Sequence, residues 1–270
     1  MGLIVKKFGG SSVGTTEKIL NVAKRILAEK QPGDQIVMVV SAMGDTTDDL
    51  IALAKKIDDE PYRYEREMDM LLTTGEQVSI ALLTMAFRSL GQKAISLTGA
   101  QAGMHTNSVH TKGKIVDIQP QRVLDELKAG NIVIVAGFQG ADEFGDPVTL
   151  GRGGSDTSAV ALAGALKAEK LLLLTDTEGV YKNFDDKKSF ISTLKANDAR
   201  EFIKSGIISG GMIPKVECCA TAIARGVKNV VIMDGRVPHS ILMELLTDEG
   251  AGTRFSGPTP KYEDRQSGWE

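Results

Sequence analysis

Short apolar runs alternate with amphipathic stretches along most of this chain, and this alternation constrains its fold more than any other feature. The apolar runs predict buried strands at residues 3–8, 35–40, 94–97, 132–136, 171–175 and 229–233. Helical periodicity predicts helices at residues 17–29, 47–57, 65–90, 121–129, 155–168, 196–204, 212–225 and 240–246, the third with an interruption near Gly75. Apolar strands separated by helices are typical of a mostly parallel sheet that helices cover on both faces. We therefore predict an α/β fold with a central, mostly parallel sheet.

One segment departs from this alternation of strands and helices. Gly140, Gly145 and Pro147 punctuate residues 138–150, which predicts a small antiparallel insertion. In parallel sheets ligands collect beyond the carboxyl ends of the strands, so we expect functional residues in the loops that follow the strands.

The composition excludes several classes of partner. The 270 residues carry a formal net charge of −3, which gives no basic field to attract nucleic acid or an anionic membrane. No apolar run approaches the roughly 20 residues that cross a bilayer, and the N-terminus does not resemble a signal peptide. The only two cysteines, Cys218 and Cys219, are adjacent, which favours a reducing compartment over a disulfide framework. We expect a cytoplasmic protein that binds neither nucleic acid nor membrane, and we assign no residue to a metal site.

The first predicted strand ends in a glycine-rich turn, Lys7-Phe8-Gly9-Gly10-Ser11-Ser12-Val13-Gly14, ahead of a helix. Glycine lets the backbone approach a phosphate closely, and a helix N-terminus adds partial positive charge. The glycine spacing matches neither a Walker loop nor a dinucleotide fingerprint. An ordinary tight turn fits the same residues, but the neighbouring Lys7 favours a phosphate site.

A second glycine-rich loop, Gly151-Arg152-Gly153-Gly154-Ser155-Asp156, also opens a helix. Arg152 is suited to bind a carboxylate through two hydrogen bonds. Two such loops, each with a cation, indicate an active site with one side for phosphate and one for an anionic substrate. Asp156 either caps its helix or orients lysines around a phosphoryl group.

Two further segments are candidates. In Gly210-Gly211-Met212-Ile213-Pro214-Lys215 the proline suits a first helical turn, so Lys215 lies near a helix N-terminus. A cation there is unfavourable unless an anion lies beside it, and a solvated lysine is the alternative. The predicted buried strand at 171–175 leads into Thr175-Asp176-Thr177-Glu178-Gly179-Val180-Tyr181. These residues suit the ribose and base of a nucleotide, although an ordinary turn would look similar.

These motifs occur together in one known family. The chain resembles aspartate kinase over about its first 180 residues, in Lys7-Phe8-Gly9-Gly10, Val40-Ser41-Ala42-Met43-Gly44, Leu72-Thr73-Thr74-Gly75-Glu76-Gln77, Thr98-Gly99-Ala100-Gln101-Ala102-Gly103 and the loop at 151–156. The last third is instead similar to acetylglutamate kinase, at residues 209–216, 232–239 and 247–250. The chain thus resembles a composite of two sister families of the amino acid kinase superfamily, with a change between residues 181 and 192. A recombined, reconstructed or designed sequence and a natural outlier all fit this pattern.

The resemblance implies a three-layer sandwich of the amino acid kinase, or carbamate kinase-like, type. It implies one domain over residues 1–255, with a substrate lobe at about 1–165, a nucleotide lobe at about 166–255 and a flexible tail at 256–270. It also implies ATP and Mg²⁺ as cofactors and a homo-oligomer, because superfamily members commonly associate through the N-terminal lobe. The regulatory domains that commonly follow an aspartate kinase catalytic domain are not expected, and neither is feedback inhibition through them.

The resemblance also assigns residues to the reaction. Lys7 and Lys215 are expected to approach the transferring phosphoryl group from opposite sides, with Asp156 holding both. The expected nucleotide contacts are Gly9, Gly10, Ser12, Thr175, Asp176 and Tyr181. The expected substrate contacts are Ser41, Thr47, Glu76, Arg152 and Ser155.

Glu76 decides between the sister substrates. It is expected to pair with the amino group of free aspartate, whereas an acetylated amine would leave its carboxylate without a charged partner. Aspartate is therefore the preferred substrate. An acetylglutamate kinase, and a nucleotide-binding protein on this fold with little turnover, are the alternatives.

Overall fold

The computed structural model describes residues 2–183, 186–237 and 251–257. Its helices are α1 (Thr16–Glu29), α2 (Thr46–Lys55), α3 (Glu65–Ser89), α4 (Gln121–Lys128), α5 (Gly154–Ala165), α6 (Ala196–Lys204) and α7 (Met212–Ala224). Its strands are β1 (Leu3–Phe8), β2 (Gln35–Val40), β3 (Ala94–Leu97), β4 (Met104–Thr106), β5 (Ile115–Ile118), β6 (Ile132–Ala136), β7 (Gln139–Ala141), β8 (Pro147–Thr149), β9 (Lys170–Thr175), β10 (Val180–Tyr181), β11 (Phe190–Ile191), β12 (Thr193–Lys195), β13 (Asn229–Asp234) and β14 (Gly252–Ser256).

Within the described residues an eight-stranded sheet forms the centre of the fold, in the order β12-β14-β13-β9-β1-β2-β6-β3. Neighbouring strands run parallel except β13 and β14, which are antiparallel. The six strands predicted from apolar runs are all present in this sheet. The predicted α/β fold with a mostly parallel central sheet is confirmed.

Side chains along the strands enter two hydrophobic cores, one on each face of the sheet. In β1, Ile4 joins the core that includes α1 and α3, while Val5 joins the core that includes α4, α5 and α7. Successive residues of a strand point to opposite faces, so strands covered on both sides must be apolar throughout. Each fully buried aliphatic side chain contributes about 1.5 to 3 kcal/mol. The three layers follow from this double burial.

Lys6 and Lys7 follow the same alternation. Lys6 points to the α1 side, where it is buried and lies 3.9 Å from Glu29. Lys7 points to the other side, toward α5. Two adjacent lysines of one strand therefore lie in different environments, and of the two Lys7 is the one that reaches the first turn of α5.

The predicted antiparallel insertion is confirmed. Strands β7 and β8 form an antiparallel hairpin, which β4 and β5 extend to a four-stranded sheet. The sequence did not predict β4 and β5, because both strands contain polar residues and neither forms a continuous apolar run. Helix α3 packs against β8.

The predicted interruption of α3 is wrong. The helix runs without a break through Gly75, which is buried. A Cβ built on Gly75 would lie 3.0 Å from the Ala42 side chain, so glycine here allows close packing of the helix against the loop after β2. A glycine that permits such packing and one that breaks a helix look alike in a sequence.

The helical stretch Pro61–Ser89 is long and apolar enough, by length and composition, to cross a membrane. This differs from the expectation that no segment approaches that length. Half of its most apolar window is buried within the fold, and its buried residues include Asp69 and Glu76. Buried core helices meet the same criterion, so the stretch is weak evidence for a membrane span.

The remaining helices begin and end within a few residues of their predicted bounds. A short 3₁₀ turn, Gly10–Ser12, separates β1 from α1, and the Thr15 side chain caps α1. The predicted helix at 240–246, and most of the predicted tail, lie outside the described residues. The division into two lobes at residue 165 stays a prediction.

Candidate active site

The centre of the candidate site is a carboxylate between two lysines. Asp156 Oδ1 lies 2.7 Å from Lys7 Nζ, and Asp156 Oδ2 lies 3.5 Å from Lys215 Nζ. Lys7 comes from the end of β1, Asp156 from the first turn of α5 and Lys215 from the first turn of α7. Three separate segments of the chain therefore converge beyond the carboxyl end of the central strand, where parallel sheets place ligands.

The electrostatics of Asp156 follow from this pairing. Burial alone would raise the pKa of its carboxyl group, but Lys7 and Lys215 outweigh burial and hold the pKa below its ordinary value of 3.8. The carboxylate is thus charged at neutral pH. It does not cap α5, because the N-cap position belongs to Gly153, whose φ is 79°. Of the two interpretations of Asp156 from the sequence, the geometry supports the one in which it orients lysines.

A cavity of about 330 Å³ opens beside these three residues; we name it the smaller cavity. Its lining brings together all five residues expected to contact the amino-acid substrate, with Gly10 and the three catalytic candidates. The lining residues are Lys7, Gly10, Ser41, Ala42, Gly44, Thr47, Glu76, Phe138, Gly151, Arg152, Gly153, Gly154, Ser155, Asp156 and Lys215.

Glu76 lines the smaller cavity from α3 and is 2% exposed. Its Oε1 accepts a hydrogen bond from the Ala42 amide at 3.1 Å, while its Oε2 has no hydrogen-bond partner among the described residues. Burial raises the pKa of Glu76 to about 7, and the hydrogen bond from Ala42 opposes that rise. A buried carboxylate oxygen without a partner is unfavourable, so this oxygen is suited to receive a donor from a ligand.

Arg152 lines the same cavity with an exposed side chain. Its guanidinium makes no hydrogen bond or ion pair with any residue that the structure describes. A planar guanidinium in this state can bind an incoming carboxylate through two hydrogen bonds. The smaller cavity thus offers a carboxylate oxygen for an amino group and a guanidinium for a carboxylate.

Close backbone contacts shape the floor of this cavity. A Cβ built on Gly10 would lie 2.7 Å from the Ala42 carbonyl oxygen, so only glycine fits there. The Gly44 amide donates a hydrogen bond of 3.1 Å to the Gly10 carbonyl oxygen. The loops after β1 and β2 are therefore packed together, which fixes Ser41 and Thr47 relative to Lys7.

A second cavity of about 560 Å³, which we name the larger cavity, is also lined by Lys215. Asp176 and Tyr181 line it, as expected for nucleotide contacts. Its lining residues are Asp176, Thr177, Gly179, Val180, Tyr181, Lys182, Asn183, Gly206, Ile207, Ile208, Ser209, Gly211, Met212 and Lys215. Lys215 lines both cavities and so marks their junction, while Lys7 and Asp156 line the smaller cavity beside it.

Three expected nucleotide contacts, Gly9, Ser12 and Thr175, do not line either of these two cavities. The Thr175 hydroxyl instead accepts a hydrogen bond from the Thr177 amide at 3.0 Å. Ser12 Oγ lies near Gly235, beside the end of β9. The roles proposed for these three residues stay predictions.

Lys182, Asn183 and the segment at 206–209 also line the larger cavity, and the sequence did not predict them there. Gly206 and Gly210 both have positive φ. In the sequence these glycines indicate a turn, but the surrounding residues carry no charge pattern that indicates a nucleotide. The described residues contain no group of three or more carboxylate, histidine or cysteine side chains placed to hold a metal ion.

The chain is similar to known proteins both in sequence and in structure. The profile of the amino acid kinase family matches residues 2–234. The chain is 59% identical over 181 residues to an aspartokinase of Bacillus sp. (strain MGA3) and to aspartokinase 2 of Bacillus subtilis (strain 168), covering 67% of this chain and 44% of each relative. The crystal structure of aspartate kinase from Synechocystis superposes with a TM-score of 0.72 at 38% identity, covering 96% of this chain and 40% of that one.

The chain therefore spans less than half the length of these relatives. The composite character of the sequence, with a last third similar to acetylglutamate kinase, stays a prediction.

Proposed function

The chain belongs to the amino acid kinase family, and we propose that it transfers the terminal phosphoryl group of ATP to the side-chain carboxylate of aspartate. The observation that carries this proposal is the position of Lys7, Asp156 and Lys215 at the junction of two cavities. A phosphoryl group that moves from a nucleotide in the larger cavity to a substrate in the smaller one would pass Lys215. The aspartokinase relatives support the choice of reaction.

Electrostatic stabilisation is the main catalytic device in this proposal. The transferring phosphoryl group spreads negative charge over its oxygens, and the Lys7 and Lys215 ammonium groups neutralise that charge from two sides. Asp156 holds both ammonium groups before the substrates arrive, so little reorganisation is needed during the reaction. The acceptor carboxylate is already ionised at pH 7, so the mechanism needs no general base.

Glu76 and Arg152 orient the amino acid. The unpartnered Oε2 of Glu76 accepts a hydrogen bond from the α-ammonium group, and Arg152 binds a carboxylate of the substrate. Ser41, Thr47 and Ser155 line the same cavity and supply hydroxyl groups. An N-acetylated substrate has no ammonium group, so Glu76 favours free aspartate over acetylglutamate.

The larger cavity accepts the nucleotide, with Asp176 and Tyr181 near the ribose and base. Mg²⁺ bound with ATP would neutralise charge on the phosphate oxygens, and the phosphates and water would hold it, because such ions commonly have few protein ligands. We further propose that the protein is cytoplasmic and homo-oligomeric, as the resemblance implies.

The test is a phosphorylation assay in which hydroxylamine traps the acyl phosphate. ATP and Mg²⁺ are supplied with aspartate or with N-acetylglutamate, and the Lys7→Ala variant is the control for background hydrolysis. We expect hydroxamate to form with aspartate and to depend on Lys7. Product from N-acetylglutamate alone would contradict the proposed substrate, and binding of ATP without any acyl phosphate would contradict the proposed reaction.

A further inference from the structure

The loop at residues 107–114 contains a strained backbone. Thr111 has a φ of 64°, in the left-handed region that a β-branched residue seldom adopts. Its amide donates a hydrogen bond of 2.9 Å to Oδ2 of Asp69. A conformation of this kind persists only where the surrounding structure fixes it, and such positions often lie beside functional sites.

Asp69 is the residue that fixes this conformation. Its carboxylate is fully buried on α3, where Oδ1 accepts a hydrogen bond of 2.5 Å from the Thr149 hydroxyl. Its Oδ2 also lies 2.9 Å from His110 Nδ1. The Gly113 amide donates a further hydrogen bond of 2.8 Å to the Thr149 carbonyl oxygen. One buried carboxylate therefore joins α3, the 107–114 loop and the end of β8, although it lines neither of the two cavities.

This cluster lies directly beside the loop that carries Arg152. Strand β8 ends at Thr149 and leads through Leu150 to Gly151, whose φ is 70°. A Cβ built on Gly151 would lie 3.5 Å from the Thr111 carbonyl oxygen, so the Thr111 backbone is packed against Gly151. A shift of Thr111 or Thr149 would consequently move the backbone from which Arg152 extends.

We propose that Asp69 is a positioning residue for substrate recognition, which holds Thr111 and Thr149 and thereby fixes the Arg152 loop. This inference rests on the proposed function for its effect on the substrate, but the coupling itself can be measured without turnover. Asp69 and Glu76 lie seven residues, or about two turns, apart on α3. The same helix thus supports both substrate contacts, Glu76 directly and Arg152 through Asp69.

Asp69→Asn is the first test. Asparagine keeps the shape, but its NH2 group replaces one of the two carboxylate oxygens that now accept hydrogen bonds from the Thr111 amide and the Thr149 hydroxyl. We expect the KM for aspartate to rise about tenfold or more, while the KM for ATP stays unchanged. Thr84→Val is the matched control. Thr84 is also buried on α3, but among the described residues its hydroxyl donates a hydrogen bond only to the Ile80 carbonyl of its own helix, at 2.7 Å, so neither KM should change.

The second test is hydrogen exchange without substrates. In Asp69→Asn we expect faster exchange at residues 107–114 and 151–154 and unchanged exchange in α7. Adding Thr111→Gly to Asp69→Asn should lower the KM for aspartate most of the way back to the parent value, because glycine adopts the left-handed conformation without strain. Thr149→Val, which removes a single hydrogen bond, replaces Asp69→Asn if that variant does not fold.

Two outcomes would overturn the proposal. One is faster exchange at 107–114 with no change at 151–154, which would mean that Asp69 stabilises its own loop only. The other is an equal rise in both KM values, which would indicate a general loss of structure. If the parent protein does not use aspartate, the proposed function fails, and the exchange at 151–154 still decides whether Asp69 positions the loop.

Discussion

The Glu76→Gln substitution tests two effects of the buried Glu76 carboxylate: its cost to the stability of the fold and its contribution to substrate binding. Burial raises the pKa of Glu76 from 4.5 to about 7. The difference between these two values, at about 1.4 kcal/mol for each pH unit, corresponds to about 3 kcal/mol of stability lost when the native carboxylate is charged. Because the folded pKa lies above the unfolded one, this cost is absent below pH 4.5. It grows as the pH rises toward 7 and is complete above pH 7.

Glutamine removes the charge and keeps the shape, and its Oε1 can still accept the Ala42 amide. We expect Glu76→Gln to be more stable than the parent by about 2 to 3 kcal/mol at pH 8 and equally stable near pH 4.5. Urea unfolding at pH 4.5, 6 and 8, without amino acid, measures this difference. Glu65→Gln is the matched control, since Glu65 is an exposed glutamate in the first turn of the same helix and should change stability by less than about 1 kcal/mol at any of these pH values.

The same variant should lose activity. Without the charged partner for the α-ammonium group, kcat/KM for aspartate should fall by about one to two orders of magnitude, while use of an N-acetylated substrate should suffer far less. A variant that is stabilised equally at all three pH values, or destabilised at pH 8, would refute the assignment of a buried charge. A parallel fall with both substrates would refute its role in substrate choice.

Three further predictions concern the lysines and one glycine. Lys7→Ala and Lys215→Ala should each lower kcat by about two orders of magnitude or more with little change in nucleotide affinity; an unchanged kcat in steady-state assays would remove that lysine from the mechanism. Burial lowers the pKa of Lys6 to about 8, so its charge weakens the fold below pH 8 and this cost is lost as the pH rises from 8 toward 10.5. Lys6→Met should therefore stabilise the protein by about 1 to 3 kcal/mol at pH 7 and by less at pH 9.5 in urea unfolding, and a gain that is larger at pH 9.5 would contradict this account. Gly99→Ala should destabilise the protein by about 2 kcal/mol or more in the same assay, because a Cβ there would lie 2.0 Å from the Gln139 carbonyl oxygen. Unchanged stability would show that the backbone shifts to accommodate the Cβ without a measurable cost.

The central sheet was predictable because its strands are buried on both faces. Double burial demands continuous apolar runs, and β1, β2, β3 and β6 begin and end at their predicted residues. Strands β4 (Met-His-Thr) and β14 (Gly-Thr-Arg-Phe-Ser) contain polar residues, so they form no continuous apolar run and depend on their neighbours for pairing. The continuity of α3 through Gly75 was not predictable for a similar reason, since it depends on a contact with Ala42, a residue distant in sequence.

The charged residues of the site were easier to find than those that support them. Arg152, Asp156 and Lys215 stand out because each is a charged residue in a glycine-rich segment that opens a helix. Asp69 does not stand out, because one carboxylate on a helix is unremarkable until its buried partners are known. Its environment depends on His110 and Thr149, which lie 41 and 80 residues away along the chain.

The geometry also explains why the lysine pair needs a carboxylate. Two ammonium groups that approach a common point repel each other, and each would otherwise turn toward solvent. Asp156 offers one oxygen to each of them, which leaves a net charge of one positive unit at the junction of the cavities. Lys7 is 9% exposed in its side chain and Lys215 is 27% exposed, so the first is held more firmly than the second. In the proposed reaction, Lys215 is the lysine with more freedom to follow a phosphoryl group toward the substrate carboxylate in the smaller cavity, while Asp156 keeps Lys7 in place to neutralise charge on the phosphoryl oxygens.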